Sequence, residues 1–268
     1  MKEGRNKKLE LIVLLKQVPS TESFVGISED GKSVKLGDAK LVVNPYDEFA
    51  VEEALKLKEA NGGTVTIVSV GSDKAVEAIR TGLAMGADKG ILVNDPAADN
   101  CDGLQTARIL AAVIKSIPHD LIIAGQRAVD DDNYVVGSAV AEFLNIPSIT
   151  MVIKETIADG KIACVKTVEG GTVTVESSLP ALITTQRGLN EPRYASLPGI
   201  MKAKKKPLET KKLQDIGLDA AGMGSQKTKV ISYKLPPERK GGKIIAGETD
   251  ADKVKALVKA LQEEAKVI

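Results

Sequence analysis

Residues 64–93 read Thr-Val-Thr-Ile-Val-Ser-Val-Gly-Ser-Asp-Lys-Ala-Val-Glu-Ala-Ile-Arg-Thr-Gly-Leu-Ala-Met-Gly-Ala-Asp-Lys-Gly-Ile-Leu-Val, and their pattern decides the fold. Residues 64–70 and 90–93 are apolar runs of strand length, while 72–85 has the length and spacing of a helix. Strand, helix of roughly 10 to 15 residues and strand make a βαβ unit with parallel pairing. The alternation extends both ways. Residues 9–15, Leu-Glu-Leu-Ile-Val-Leu-Leu, predict a buried strand. From 47 to 60, Phe49, Ala50, Ala54, Leu55 and Leu57 recur at helical spacing, with Asn44, Pro45, Tyr46 and Asp47 placed to cap. Asp102 is placed to cap a helix through 115, 120–124 reads as strand, Asp132 opens a helix through 144, and 148–153 reads as strand. The expected fold is α/β, a doubly wound and mostly parallel sheet.

After about residue 155 the pattern changes. Residues 161–168 and 172–176 flank Glu169-Gly170-Gly171 and predict a β-hairpin. Asp30-Gly31 centres a smaller turn within 28–33, and 182–185 reads as another buried strand. Residues 190–207, Asn-Glu-Pro-Arg-Tyr-Ala-Ser-Leu-Pro-Gly-Ile-Met-Lys-Ala-Lys-Lys-Lys-Pro, predict a rigid exposed loop. Its prolines and lysines do not suit a buried strand, and a solvated linker has no use for Leu197, Ile200 and Met201. Apolar anchors inside a basic rim fit partner recognition; a lysine run solvating a surface face is the alternative. Beyond Pro207 periodicity fades until a last helix at 250–265, with Val254, Leu257, Val258 and Leu261 on one face. Two parts follow: an α/β domain over 1–207 and a C-terminal arm and helix over 208–268.

Composition excludes several classes. Lys plus Arg (37) nearly balances Asp plus Glu (36), which argues against nucleic acid or a membrane surface. Aromatics are 3% with no Trp, which opposes base-stacking models. The single His119 rules out a multi-histidine metal centre, and reads as a strand-edge residue rather than a base. Cys101 and Cys164 lack metal-ligand spacing, and carboxylates beside Cys101 oppose thiolate formation. No apolar run approaches the roughly 18 residues of a membrane span. With a short polar lead at residues 1–8, the expectation is a cytoplasmic protein.

Open α/β sheets bind ligands beyond the carboxyl ends of their strands, where strand order reverses. Three segments qualify: 14–19 starting at Leu14, 70–72 starting at Val70, and 125–137. In the third, Gly125 offers close backbone approach for a ligand, and a helix opening near Asn133 presents amides and a positive dipole end to a phosphate. A helix cap surrounded by surface aspartates is the alternative. There is no Gly-x-Gly-x-x-Gly after the first strand, no Walker loop and no acid–base pair. A protein that holds a cofactor or partner is expected, not one with catalytic residues.

Leu179-Pro180-Ala181, Asn190-Glu191-Pro192-Arg193 and Ile200-Met201-Lys202-Ala203-Lys204-Lys205-Lys206 together closely resemble the signature of electron transfer flavoprotein beta subunits. Asn44-Pro45-Tyr46-Asp47, Ala50-Val51-Glu52-Glu53-Ala54, Ala84-Met85-Gly86-Ala87-Asp88 and Asp130-Asp131-Asp132 also resemble family blocks, in family order. The resemblance implies a sheet of the adenine-nucleotide-hydrolase type and a heterodimer with an alpha subunit that holds most of a redox-active FAD. Such a carrier takes electrons from acyl-CoA or similar dehydrogenases to a quinone oxidoreductase, with an AMP of no redox role in beta. Carried over by position, AMP would contact Leu14, Asn44, Pro45, Tyr46, Asp47, Val70, Gly125, Gln126, Arg127, Ala128, Val129, Asp130, Asp131, Asp132, Asn133, Tyr134, Val135 and Val136. Thr21 and Tyr46 would approach the flavin. Leu197 would be the anchor for the dehydrogenase, with Pro198, Ile200 and Met201 shaping its loop, and the C-terminal arm would wrap the alpha subunit. The chain departs from the family after the aspartates, where Asn133-Tyr134-Val135-Val136-Gly137 replaces Cys-Asn-Gln-Thr-Gly. An electron-bifurcating branch, with a second FAD in place of AMP and NADH as donor, is the alternative, as is a non-redox adenine-nucleotide module.

Overall fold

The structure, a computed structural model, describes residues 8–219, 221–237 and 241–268; the polar lead, save Lys8, lies outside them. Nine strands form one sheet: β1 (Leu9–Leu14), β2 (Gly63–Val70), β3 (Lys89–Val93), β4 (Leu121–Gly125), β5 (Ser148–Ala158), β6 (Lys161–Val168), β7 (Gly171–Ser178), β8 (Ala181–Thr185) and β9 (Leu208–Lys211). Their order is β7-β6-β5-β8-β4-β1-β2-β3-β9. Pairing is parallel from β5 across to β9, and antiparallel only where β6 joins β5 and β7 joins β6. From β1 the chain winds outward through β2 and β3, then returns to lay β4 on the other side of β1. The strand order therefore reverses between β1 and β4, which fixes where a ligand cleft opens.

The helices α1 (Pro45–Asn61), α2 (Ala75–Met85), α3 (Gly103–Lys115) and α4 (Val136–Leu144) cover both faces. Successive side chains of a strand point to opposite faces. Leu11 and Val13 accordingly join one buried cluster with Ala50 and Leu55 of α1 and Ile79 and Leu83 of α2. Ile12 and Leu14 join the other with Ile109 and Val113 of α3 and Val140 of α4. The doubly wound α/β expectation matches the structure, and so does the hairpin at β6 and β7, where Val168 pairs with Gly171. The smaller turn at 28–33 closes a ribbon of Gly26–Ile27 with Val34–Lys35.

Four local expectations are corrected. The second helix starts at Ala75, after a turn in which the Ala75 amide donates to Ser72 O. The helix expected from Asp132 starts at Val136, because Asp132 and Tyr134 adopt left-handed φ of 48° and 58°, which no right-handed helix accepts. Leu197–Ala203, expected as loop, forms a short helix α5. Residues just past Pro207 are not arm: β9 extends the sheet along β3, and the compact unit runs to Ser232. Residues 233–268 form a separate unit with α6 (Asp250–Lys259), continued by a wider turn over Ala260–Ala265.

Candidate functional site

At the carboxyl edge of β1 and β4 two side chains from the start of α1 lock the strands together. The buried Asp47 carboxylate accepts the Lys16 amide at 2.7 Å and the Gly125 amide at 3.1 Å. Burial pushes this carboxyl up to about 7, against the pull of those two amides and of Asn44. Asn44 makes no cap hydrogen bond of its own. Its amide instead donates to Arg127 O at 2.8 Å and its carbonyl accepts the Val129 amide at 3.2 Å, fixing the loop after β4. The residues expected as a helix cap thus clamp two strand ends.

At Gly125 the chain itself comes close. A Cβ there would stand 2.3 Å from Asp47 Oδ1 and 2.8 Å from Tyr46 Cβ. The start of α1 makes one close approach that requires this glycine, which also lines the cleft described below. The helix opening lies at Val136 rather than near Asn133.

Between these elements lies a cleft of about 220 Å³. Of the residues expected for AMP, it is lined by Leu14, Asn44, Asp47, Val70, Gly125, Gln126, Arg127, Ala128, Asp131, Asn133, Tyr134, Val135 and Val136. Pro45, Tyr46, Val129, Asp130 and Asp132 are not in its wall. Pro45 and Val129 line a second cleft, together with the exposed Thr21 and the half-buried Glu48. Tyr46 stands behind the first cleft, its hydroxyl accepting from Arg127 at 2.8 Å. Sequence reasoning missed a wall formed by Ala98, Asn100, Cys101, Gly103, Thr106 and Leu110. Its signal was the Asp102 cap, which holds the Leu104 and Gln105 amides and sets the start of α3 on the same sheet edge.

The cleft is apolar inside and polar at its rim. Val68, Leu110, Ala124 and Leu14 are buried, whereas Asp131, Asn133 and Tyr134 are exposed. Gln126 Oε1 is buried in the wall without a hydrogen-bond partner, an acceptor that a donor on a bound base would satisfy. Arg127 lies between the rings of Tyr46 (4.9 Å) and Tyr134 (5.5 Å) and pairs with Asp132 at 3.0 Å. The Cys101 thiol is pushed up by burial and by Asp102 and Asp99, and Cys164 is pushed up to about 12 by burial and Glu155. His119 is half-buried, with Nδ1 at 3.0 Å from Ile117 O. No group of metal-ligating side chains forms among the described residues.

A second constellation fixes the 190–207 segment. Arg193 pairs with the buried Glu52 at 2.8 and 2.9 Å and also with Glu59. Asn190 donates to Phe49 O at 3.0 Å and to Glu53 at 2.7 Å. Arg80 donates to the Ala203 and Lys206 carbonyls, and Lys206 reaches Leu83 O and Ala87 O at the end of α2. Lys206 is therefore a helix-end cap and not part of a basic rim. Held this way, α5 presents Leu197 (79% exposed) and Met201 (72%) to solvent, with Ile200 and Pro198 also exposed.

Fold and cleft define a doubly wound α/β protein with its ligand cleft at the switch point of the sheet. An electron transfer flavoprotein domain matches residues 34–216. The chain is 43% identical over 261 residues to the electron transfer flavoprotein subunit beta of Bacillus subtilis, covering 97% of this chain and 100% of that protein. It is 42% identical over 243 residues to that of Syntrophomonas wolfei, covering 90% and 92%. To the human subunit beta it is 39% identical over 253 residues, covering 93% and 97%. The chain belongs to the electron transfer flavoprotein family, among its beta subunits. It is thus an electron-transfer subunit and not an enzyme, in a flavoprotein family whose beta subunits pair with an alpha subunit. Among the described residues no helix is long and apolar enough to cross a membrane.

Proposed function

We propose that this chain is the beta half of a soluble, cytoplasmic electron carrier, holding AMP in the cleft between β1 and β4 while the alpha subunit holds most of a redox-active FAD. Electrons would enter from an acyl-CoA or similar dehydrogenase and leave to a quinone oxidoreductase. The observation that carries this reading is α5, whose Leu197 and Met201 face solvent on a helix fixed by Arg80, Arg193 and Lys206. A short apolar anchor on a rigid base suits transient docking to a pocket on a redox partner.

The cleft fits an adenine nucleotide: an apolar interior for the base, the unpartnered Gln126 oxygen beside it, and a polar rim for ribose and phosphate. The exposed Thr21 edge and the bare side chains Val254, Leu257 and Val258 of α6 are the surfaces we assign to the alpha subunit. Both cysteines are free, which agrees with a reducing compartment.

The test is to co-purify the chain with its alpha subunit, denature the complex and quantify FAD and AMP by chromatography. One FAD and one AMP per heterodimer support the proposal. Two FAD and no AMP would turn it into a bifurcating subunit, and no flavin would leave a nucleotide-binding module. Leu197→Ala should keep flavin and nucleotide content while slowing electron uptake from the dehydrogenase at least tenfold, as expected for truncating an interface anchor. Normal transfer kinetics would remove Leu197 from that role.

A further inference from the structure

We propose that Asp102 is a latch that fastens residues 224–228, the root of the C-terminal arm, to the start of α3, and thereby positions the arm for the alpha subunit. The inference rests on the docking of the C-terminal part on that subunit, proposed above, and adds the residue that aims it. Sequence alone offered Asp102 only as the cap of α3.

Four backbone amides converge on this one buried side chain. Oδ1 accepts the Leu104 and Gln105 amides at 3.1 and 2.9 Å, as part of the capping box of α3. Oδ2 accepts the amides of Lys227, at 2.5 Å, and Thr228, at 3.2 Å, which lie 125 and 126 residues further along the chain. Two more bonds join the same segments. Gln105, the other half of the capping box, donates to Gly224 O at 2.9 Å, and Gln226 donates to Asn100 O at 3.2 Å. A cap by itself needs one acceptor, which Ser or Asn supplies as well as Asp. A carboxylate offers an acceptor on both oxygens, and here the second one serves the arm.

The latched stretch separates two different surroundings. Just before it, Met223 is buried in the same cluster as Ile109 and Val113 of α3. Lys227 and Thr228 are exposed, so hydrogen bonds rather than burial fix the backbone there. Just after it, Val230 and Ile231 stand 60% and 77% exposed. The alpha subunit, with which the family's beta subunits pair, is the cover that such bare apolar side chains call for. Fixing the backbone ahead of them removes part of the ordering cost that docking would otherwise carry.

The experiment compares wild type with Asp102→Asn, each as the full chain alone and as the heterodimer with its alpha subunit. Asparagine keeps one oxygen for the cap but sets an amide donor against the donors at 227 and 228, so the cap survives and the latch opens. In the chain alone, hydrogen exchange at the Lys227 and Thr228 amides, read by NMR, should accelerate about tenfold while the thermal midpoint falls only slightly. In the heterodimer, sedimentation over a dilution series should give a dissociation constant about tenfold above wild type. If Asp102→Asn melts early, Gln226→Ala, which removes only the exposed donor to Asn100 O, should still weaken pairing about threefold. Amides at 227 and 228 that exchange as fast in wild type as in the variant overturn the latch. Faster exchange with an unchanged dissociation constant overturns its part in pairing and leaves the docking on the alpha subunit standing. A wild-type chain that does not pair with the alpha subunit overturns both.

Discussion

Gly125 ends β4 directly against the first turn of α1, so its missing side chain governs how close Asp47 and Tyr46 come to the strand. Gly125→Ala would put a methyl group 2.3 Å from the Asp47 carboxylate and 2.9 Å from the Tyr46 backbone carbon. Neither neighbour is the free end of a flexible chain, so α1 must shift. The expected cost is about 1–3 kcal/mol, read as a lower midpoint in urea with unchanged m-value, together with faster nucleotide loss on dialysis. An unaltered midpoint would mean that α1 gives way freely. Sequence alone marked Gly125, Asn44 and Asp47 as belonging to one site but did not show the contacts among them. A glycine at a strand end and an Asx residue before a helix each have a local explanation, ligand approach and capping. What these leave out is a contact across 78 residues, between Gly125 and Asp47, that no local pattern encodes.

At the scale of elements, α5 shows why helix starts were hard to place. Ser196 accepts the Gly199 amide at 3.1 Å and Pro198 lies in the first turn, both ordinary start signals. They were outweighed by the prolines and lysines around them, since seven residues are too few to show a helical period. At α4 the reverse happened: three aspartates looked like a cap, yet left-handed Asp132 and Tyr134 postpone the helix to Val136. The position of α5 depends on Gly199, whose absent Cβ would lie 2.5 Å from Ala84 O on α2. Gly199→Ala must therefore lift the helix from its seat without altering Leu197 itself. Thermal stability is expected to fall modestly, by about 1–2 kcal/mol, because α5 is mostly exposed. Electron uptake from the dehydrogenase should slow several-fold, through a raised KM more than a lowered intramolecular rate, when measured by stopped-flow reduction of the flavin. A variant with wild-type KM would show that the anchor works without a fixed base.

For the whole molecule, the parallel part of the sheet was legible because its strands are continuous apolar runs between helices, as in β1 with Leu11, Ile12 and Val13 all buried. The edge strand β9 was not, since Leu208-Glu209-Thr210-Lys211 pairs only along one side and needs no apolar pattern. Also invisible was the approach of two carboxyls far apart in sequence, Glu53 of α1 and Glu155 of β5. Glu155 is raised well above the ordinary carboxylate range, first by burial and then by its hydrogen bond and repulsion with Glu53. Around the pair stand Lys56, at 3.5 Å from Glu53, Asn190, donating to Glu53 at 2.7 Å, and the buried Cys164 of β6. Asp47, at about 7, is a second carboxyl raised by burial. An acid whose pKa is higher in the folded chain keeps a proton that the unfolded chain has released, so stability is full below the unfolded value and declines as pH rises toward the folded one. Thermal midpoints should therefore fall from about pH 4 to about pH 8. Glu155→Gln isolates the pair: its amide can donate to Glu53 in place of the shared proton and has no proton to lose. The variant's midpoint should decline less than wild type, with the gap widening steadily from about pH 5 to about pH 8 and constant above that, leaving the Asp47 contribution in the variant. Parallel curves for the two proteins would show that Glu53 and Glu155 share no proton.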